Sequence, residues 1–172
     1  MSHELELELT FLAKEIPKET EGKQPVRITD VYVPASTDHP NLRLRQKGDK
    51  FEITKKTMVG EDASEQIEQT IGLNELEFNA LAKSSQKVVA KDRYLVELCG
   101  RSAEVDVFVG RLKGLVLIDF EFDSPADKAD FKTPDIALAD VTQEDFIAGG
   151  KLAGKTYTDI SDQLEKFGYQ PL

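Results

Sequence analysis

Several segments of this 172-residue chain alternate charged and apolar residues, and most of these segments carry charges of one sign. In a β-strand, successive side chains point to opposite faces, so residues at every second position share a face. Residues 4–12 thereby place Glu4, Glu6 and Glu8 together, and a later segment places Arg43 and Arg45 together. Extended along the chain, the pattern gives acidic candidates (Glu6, Glu8, Glu104, Asp106, Asp119 and Glu121) and basic candidates (Arg43, Arg45, Lys56, Lys91 and Arg93).

These two sets of side chains are typical of proteins that act on phosphate groups. Carboxylates at alternate strand positions hold a hard divalent cation such as Mg²⁺, while clustered Arg and Lys bind phosphate oxygens. Together they predict metal-assisted phosphoryl chemistry, in which basic groups offset the charge that develops on the leaving group. We predict that the acidic set binds metal, that the basic set binds phosphate, and that Lys56 and Arg45 are catalytic. The sequence contains neither a nucleophilic triad nor a Walker-type Gly-rich loop, which excludes a P-loop mechanism.

A simpler alternative is that each charged face is the solvated outer face of a strand, as on many sheet edges. A sandwich built this way would mix both signs within each strand, whereas most strands here carry one sign. A sheet closed into a barrel with its charged face inward explains the pattern, because basic and acidic walls would then face each other. The pattern alone leaves both architectures open. It also leaves open whether Glu104 and Asp106 bind metal or form salt bridges with the basic residues.

The elements that would carry these residues are mostly strands joined by short turns. Eight strands are predicted, at residues 4–12, 26–33, 41–47, 51–59, 65–71, 88–98, 104–108 and 115–122. A helix capped by Asn74 is predicted over residues 73–87, a second begins at Ser124-Pro125, and a last one covers about 158–167 before Gly168. A surface loop is predicted over residues 14–25, which contain two prolines, a glycine and many charges. The pattern favours one α+β domain over residues 1–172, mainly antiparallel β.

The composition limits the class of protein. Hydrophobic residues make up 40% and charged residues 31%, and the net charge of −10 argues against nucleic-acid binding, which needs a basic surface. The chain has no apolar stretch of about 18 residues and no basic leader, so we expect a cytoplasmic protein that does not bind membranes. The single cysteine, Cys99, excludes an internal disulfide and is expected to be a small core residue in a strand. The isolated His3 and His39 exclude a His-rich metal site.

Six short motifs, in order along residues 4–154, resemble those of the CYTH family, the triphosphate tunnel metalloenzymes. This family includes inorganic triphosphatases, thiamine triphosphatases and class IV adenylate cyclases. Each motif alone is weak, but their order and spacing are specific. They are Glu6-Leu7-Glu8-Leu9-Thr10-Phe11-Leu12, Arg43-Leu44-Arg45, Thr54-Lys55-Lys56, Lys91-Asp92-Arg93-Tyr94, Glu104-Val105-Asp106-Val107-Phe108 and Asp119-Phe120-Glu121.

The resemblance implies an eight-stranded antiparallel β-tunnel with a charged lumen and helices packed outside, as a monomer or homodimer. Its basic residues would bind a triphosphate and its acidic residues Mg²⁺ or Mn²⁺, for hydrolysis of inorganic triphosphate. Residues 14–25 and the helix at 158–167 are candidates to close the tunnel ends, although a packed surface helix is the simpler interpretation of the latter. Two other functions stay open: an adenylate cyclase that converts ATP to cyclic AMP, and a catalytically weakened module that binds triphosphate or polyphosphate. His3-Glu4 is not the His-Phe pair of class IV cyclases, which counts against the cyclase.

The chain departs from the family pattern at three positions. Thr10 stands where the opening motif has a lysine that family hydrolases use to activate water, so this change bears on turnover. Lys14 is a candidate to replace that lysine. Gln66 stands where the family often has an acid, with Glu68 two residues later. Asp119 replaces a glutamate and keeps the charge on a side chain one methylene shorter.

Overall fold

Strands account for most of the secondary structure. The computed structural model describes residues 2–172, with side chains from Glu6 onward, so the predictions for the side chains of His3 and Glu4 lie outside the described residues. The strands of the described chain are β1 (Ser2–Ala13), β2 (Val26–Val33), β3 (Leu42–Lys47), β4 (Lys50–Val59), β5 (Asp62–Leu73), β6 (Val88–Leu98), β7 (Arg101–Phe108), β8 (Val116–Glu121) and β9 (Ala137–Asp140). Its helices are α1 (Glu75–Ala82), α2 (Pro125–Asp130), α3 (Gly149–Leu152) and α4 (Tyr157–Glu165). No helix within residues 2–172 is long and apolar enough to cross a membrane.

Eight of these strands close into an antiparallel barrel. Their order is β5-β4-β3-β2-β6-β7-β8-β1, and β1 pairs with β5 to complete the ring. A single strand can serve both neighbours because the first half of β1 pairs with β5 and its second half with β8. Closure removes the free sheet edges. The predicted closed barrel is therefore confirmed, and the alternative of open strands with solvated charged faces is wrong.

The outer face of the barrel carries much of the hydrophobic core. Phe11, Val105, Ile118 and Phe120 are each at most 1% exposed and belong to one cluster. Phe131, just after α2, covers this cluster with its ring centroid 4.8 Å from that of Phe120. Complete burial of side chains of this size contributes about 1.5–3 kcal/mol each. Hydrophobic packing outside the ring therefore stabilises a barrel whose inner face is largely polar.

The inner face changes from charged to apolar toward one end of the barrel. There it meets residues 141–152, which we call the end segment. The contacting apolar residues are Leu12, Tyr32, Val89, Phe108 and Leu117 from the barrel and Val141, Ile147 and Leu152 from the end segment. Helix α4 joins the same cluster through Ile160 and Leu164, as expected of a packed helix. Of the described residues that line the lumen, none comes from residues 14–25 or 158–167, and at this end the lining comes from the end segment instead.

Three local predictions were wrong. The helix predicted over residues 73–87 is shorter because Leu73 still pairs with Phe51 in the sheet, and because the Ser84 hydroxyl donates to the Leu81 carbonyl at 2.7 Å, which satisfies the helix end. Cys99 is exposed in the turn after β6, where its φ is 52°, rather than buried in a strand. Strand β9 was not predicted, since four residues without charge alternation carry little signal; it lies outside the ring and pairs with the end of β1.

Candidate active site in the barrel lumen

The barrel encloses a cavity of about 1300 Å³. Every residue of the acidic and basic candidate sets lines it, because antiparallel pairing keeps the charged position of each strand on the inner face. The lining includes the acidic residues Glu6, Glu8, Glu104, Asp106, Asp119 and Glu121 and the basic residues Arg43, Arg45, Lys56, Lys91 and Arg93. The structure thus brings both sets into one compartment, while their metal-binding and phosphate-binding roles stay predictions.

Arg45 is held by a buried acid that the sequence did not single out. The register of β2 and β3 places Asp30 directly opposite Arg45, and Nε and Nη2 of Arg45 donate to the two Asp30 carboxylate oxygens, both at 2.7 Å. Burial lowers the pKa of Arg45, but the hydrogen bonds and charge of Asp30 outweigh it and raise that pKa. Burial likewise raises the pKa of Asp30, but Arg45 outweighs it and lowers that pKa. Both side chains therefore stay ionised. The sequence signal that could have identified Asp30 is that it is the one acid among the inward-facing residues of β2, between Ile28 and Tyr32.

Arg43 is the neighbouring base on β3, and part of its guanidinium is unsatisfied. Its Nη2 lies 3.7 Å from Oε2 of Glu68. Its Nε is buried and has no hydrogen-bond partner among the described residues. A buried cationic donor without an acceptor is costly. This atom is therefore suited to an acceptor that a ligand supplies.

Lys91 and Arg93 on β6 share the carboxylate of Asp106 on β7. Asp106 is 0% exposed. It accepts from Nε and Nη2 of Arg93, both at 2.7 Å, and also from Lys91. Burial raises the pKa of Asp106, but Lys91 and Arg93 outweigh it and hold that pKa well below its usual range. Arg93 also forms an ion pair with Glu104. For Asp106 this geometry favours the salt-bridge alternative over metal binding, because both oxygens already accept from cations.

Lys56 on β4 lies between two acids. It forms an ion pair with Glu6, and its Nζ lies 3.4 Å from Oε2 of Glu68. Burial lowers the pKa of Lys56, but the charges of Glu8 and Glu6 outweigh it and raise that pKa. Glu68 therefore supplies a carboxylate two residues along β5 from Gln66. Gln66 itself lies opposite Glu6 in the pairing of β1 with β5.

Carboxylates on β1, β7 and β8 crowd together on one wall of the lumen. Glu8 lies opposite Glu121, and Asp119 lies opposite Glu104. Burial and the charge of Glu8 raise the pKa of Asp119 to about 8. Burial also raises the pKa of Glu8, although Lys56 opposes it, and burial with the charge of Glu104 raises that of Glu121. The wall therefore holds negative charge at a cost in free energy.

This donor set fits a divalent cation. Buried carboxylate oxygens that repel one another are the ligands that Mg²⁺ and Mn²⁺ prefer, and a cation among them would relieve both burial and repulsion. Among the described residues, no three acidic, histidine or cysteine side chains are already arranged to hold a metal ion. The chemistry of the donors is therefore suitable, although their present arrangement is not that of a formed metal centre.

Thr10 lies within this wall, and Lys14 does not. The Thr10 hydroxyl donates to Oδ1 of Asp119 at 2.7 Å. Lys14 Nζ donates to the backbone carbonyl of Asp135 at 2.8 Å and lines a separate surface cleft. Lys14 therefore does not occupy the place of the lysine that Thr10 replaces, and that prediction was wrong.

Comparison with known proteins finds relatives of the same fold, among them inorganic triphosphatases. No family model matches the chain. The inorganic triphosphatase of Nitrosomonas europaea is 33% identical to it over 119 residues, which are 68% of this chain and 76% of that protein. The solved structure of the inorganic triphosphatase NE1496 has a TM-score of 0.62 at 27% identity and covers 86% of this chain and 93% of its own. The PH1012 protein of Pyrococcus horikoshii OT3 shares the fold, with a TM-score of 0.51 at 16% identity over 95% of this chain and 90% of its own.

A closed antiparallel barrel with acidic and basic walls facing a common lumen defines a class of tunnel-type β-barrel proteins. Within that class, the chain belongs to the family of the Nitrosomonas europaea inorganic triphosphatase.

Proposed function

We propose that this chain is a divalent-metal-dependent hydrolase of inorganic triphosphate, acting in its lumen as a CYTH-type triphosphate tunnel enzyme. The observation that carries the proposal is the basic wall, in which Nε of Arg43 is buried without a partner among the described residues. A linear triphosphate offers charged acceptors to such a wall. The inorganic triphosphatase relative supports this substrate. We take residues 1–172 as one domain that works in the cytoplasm, where a single free cysteine is ordinary, as a monomer or homodimer.

The basic residues have two roles in this proposal. Hydrolysis adds water to the terminal phosphorus and breaks a phosphoanhydride bond, so negative charge grows on the bridging oxygen that leaves with pyrophosphate. Arg43, Arg45, Lys56, Lys91 and Arg93 would bind phosphate oxygens and keep the substrate in line. Lys56 and Arg45 would also stabilise the charge on the leaving group, which is the main contribution a protein makes to phosphoryl transfer.

The acidic wall would hold the metal. Glu6, Glu8, Glu104, Asp119 and Glu121 supply oxygen donors of the type that Mg²⁺ or Mn²⁺ requires. When bound, such a cation polarises phosphate oxygens and makes a bound water more acidic. Asp106, also predicted as a ligand, would instead orient Arg93 and Lys91.

Phosphate release from inorganic triphosphate, ATP and thiamine triphosphate, each with Mg²⁺ and with Mn²⁺ at neutral and alkaline pH, tests this proposal. We expect release from inorganic triphosphate well above the other two, strongly reduced but measurable in Arg45→Ala and Glu8→Ala and kept in the surface control Lys14→Ala. Retained turnover in both lumen variants would remove the lumen as the site. Cyclic AMP formed from ATP would indicate a cyclase. Binding detected by thermal shift without any turnover would indicate a binding module.

A further inference from the structure

We propose that Asp30 is a positioning residue for Arg45, fixing the guanidinium at one point of the lumen so that it meets the phosphate chain in a single orientation. This inference rests on the proposed hydrolase function. Asp30 itself would touch neither substrate nor metal. It would act through Arg45 alone.

The two side chains form a fixed unit on the wall of the barrel. Asp30 is 2% exposed and Arg45 is 8% exposed. Strand β2 is paired on both sides, with Asp30 opposite Arg45 of β3 and opposite Val89 of β6. Two parallel hydrogen bonds of 2.7 Å prevent rotation of the planar guanidinium. The fork uses Nε and Nη2, so Nη1 remains outside it.

The geometry and the charge of Asp30 predict opposite effects on a polyanion. Its negative charge next to Arg45 weakens the attraction of the basic wall for a triphosphate. Its fork, in contrast, orients a cation before the substrate arrives, and small misplacements of catalytic groups lower rates by large factors. Loss of the charge alone would strengthen ground-state binding, whereas loss of the orientation would lower kcat. The substitution Asp30→Asn removes both the charge and the fork, so affinity and kcat, measured separately, distinguish the two roles.

The chain offers a matched control on the same strand. Arg27 of β2 and Asp92 of β6 are also cross-strand neighbours. Nε and Nη2 of Arg27 donate to the two Asp92 oxygens at 2.6 and 3.0 Å. This pair lies on the outer face of the barrel, where the Arg27 side chain is 58% exposed. Asp92→Asn thus removes a similar fork without touching the lumen.

Steady-state kinetics on inorganic triphosphate with Mg²⁺ give the first readout. We expect Asp30→Asn to lower kcat by about tenfold or more, while calorimetry in chelator shows tripolyphosphate binding that is unchanged or tighter. Asp92→Asn should stay within about twofold of the wild type in both quantities, as expected of an exposed ion pair. In the Arg45→Ala background, Asp30→Asn should cause no further loss, because residues that act as one unit are not additive.

A second readout does not depend on turnover. In ¹⁵N NMR spectra, the Arg45 Nε–H signal should exchange slowly with solvent and shift when tripolyphosphate is added. In Asp30→Asn, exchange should be fast and the response to tripolyphosphate should be lost. If Asp30→Asn does not fold, Asp30→Ala/Arg45→Ala, which removes both buried charges, takes its place, and its kcat should equal that of Arg45→Ala alone.

The outcomes separate this inference from the proposed function. A kcat of Asp30→Asn within about twofold of the wild type, or an equal loss when Arg45 is already alanine, overturns the positioning role. A wild-type protein that releases no phosphate overturns the hydrolase proposal instead. The NMR response then decides alone: its loss in Asp30→Asn supports Asp30 as the residue that orients Arg45, and an unchanged response overturns it.

Discussion

The carboxylate of Asp106 neutralises two buried cations, and Asp106→Asn is expected to destabilise the protein by about 3–4 kcal/mol. Asp106 accepts two hydrogen bonds of 2.7 Å from Arg93 and one from Lys91. An asparagine keeps one acceptor oxygen, but its amide NH₂ faces a guanidinium donor, and both cations lose the charge of this carboxylate. Removing one partner of a buried ion pair costs about 3–5 kcal/mol. The lower part of that range applies because Arg93 keeps its ion pair with Glu104.

Urea denaturation followed by circular dichroism, with a chelator present, measures this loss. For a chain of this size, a loss of about 3 kcal/mol corresponds to a fall of about 6–12 °C in Tm. Asp127→Asn is the matched control, because Asp127 forms an ion pair with Arg101 at the surface, where the side chains are 32% and 29% exposed. The control should lose less than about 1 kcal/mol. An equally small loss for Asp106→Asn would refute the reasoning, since it would mean that water or another acid replaces the carboxylate.

Three further predictions concern the acidic wall, Thr10 and the end segment. The pKa of Asp119 is raised to about 8, so between about pH 4 and 8 the folded protein keeps a proton that the unfolded chain has lost. In chelator, stability should therefore fall by up to about 1.4 kcal/mol per pH unit over this range, and Asp119→Asn should flatten the slope of urea midpoints against pH; parallel slopes would contradict this. Thr10→Lys should raise phosphate release from inorganic triphosphate by about tenfold or more if the missing lysine limits turnover, and an unchanged rate would show that Thr10 costs nothing. Gly149→Ala would place a methyl group 2.0 Å from the Tyr32 hydroxyl and should cost about 1–3 kcal/mol. Gly72→Ala, with nothing within 4 Å, should change stability by less than about 1 kcal/mol, and equal Tm values for the two variants would disprove close packing at Gly149.

The inner wall could be predicted because strand alternation is a local property of the sequence. Once Glu6 and Glu8 share a face, pairing across β1 and β8 can only add residues that face the same way, such as Glu121. A slip of one residue would turn every charge outward, so the pattern also limits the register. The signs of the charges allowed a closed ring but left the open sandwich possible, and the resemblance of the six motifs to the CYTH family favoured the ring. The charged residues that line the lumen could therefore be predicted from the sequence alone.

Which of these side chains contact one another in the lumen could not be predicted from the sequence in the same way. Asp30 is the one acid in the inner row of β2, and its importance depends on the register that sets it against Arg45. Register between strands distant in sequence depends on turns and on closure, which no single segment encodes. The choice between metal binding and a salt bridge at Asp106 likewise depended on which cations surround it. The end segment was missed for a different reason, since its contacts are apolar and its helical turns are short.

The division of the barrel into an apolar shell and a charged lumen explains how the site can hold unfavourable charge. Phe11, Ile118 and Phe120 are fully buried on the outer face, so the stability of the ring does not depend on a hydrophobic interior. Within the ring, the charged form of Asp106 is stabilised by the two cations beside it, whereas Asp119 and Glu8 are held with raised pKa values that cost stability. Functional sites commonly keep such strain, and the rest of the structure compensates for it. Substitutions at these two acids should therefore act in opposite directions: neutralising Asp106 should destabilise the fold, whereas neutralising Asp119 should stabilise the metal-free protein at alkaline pH.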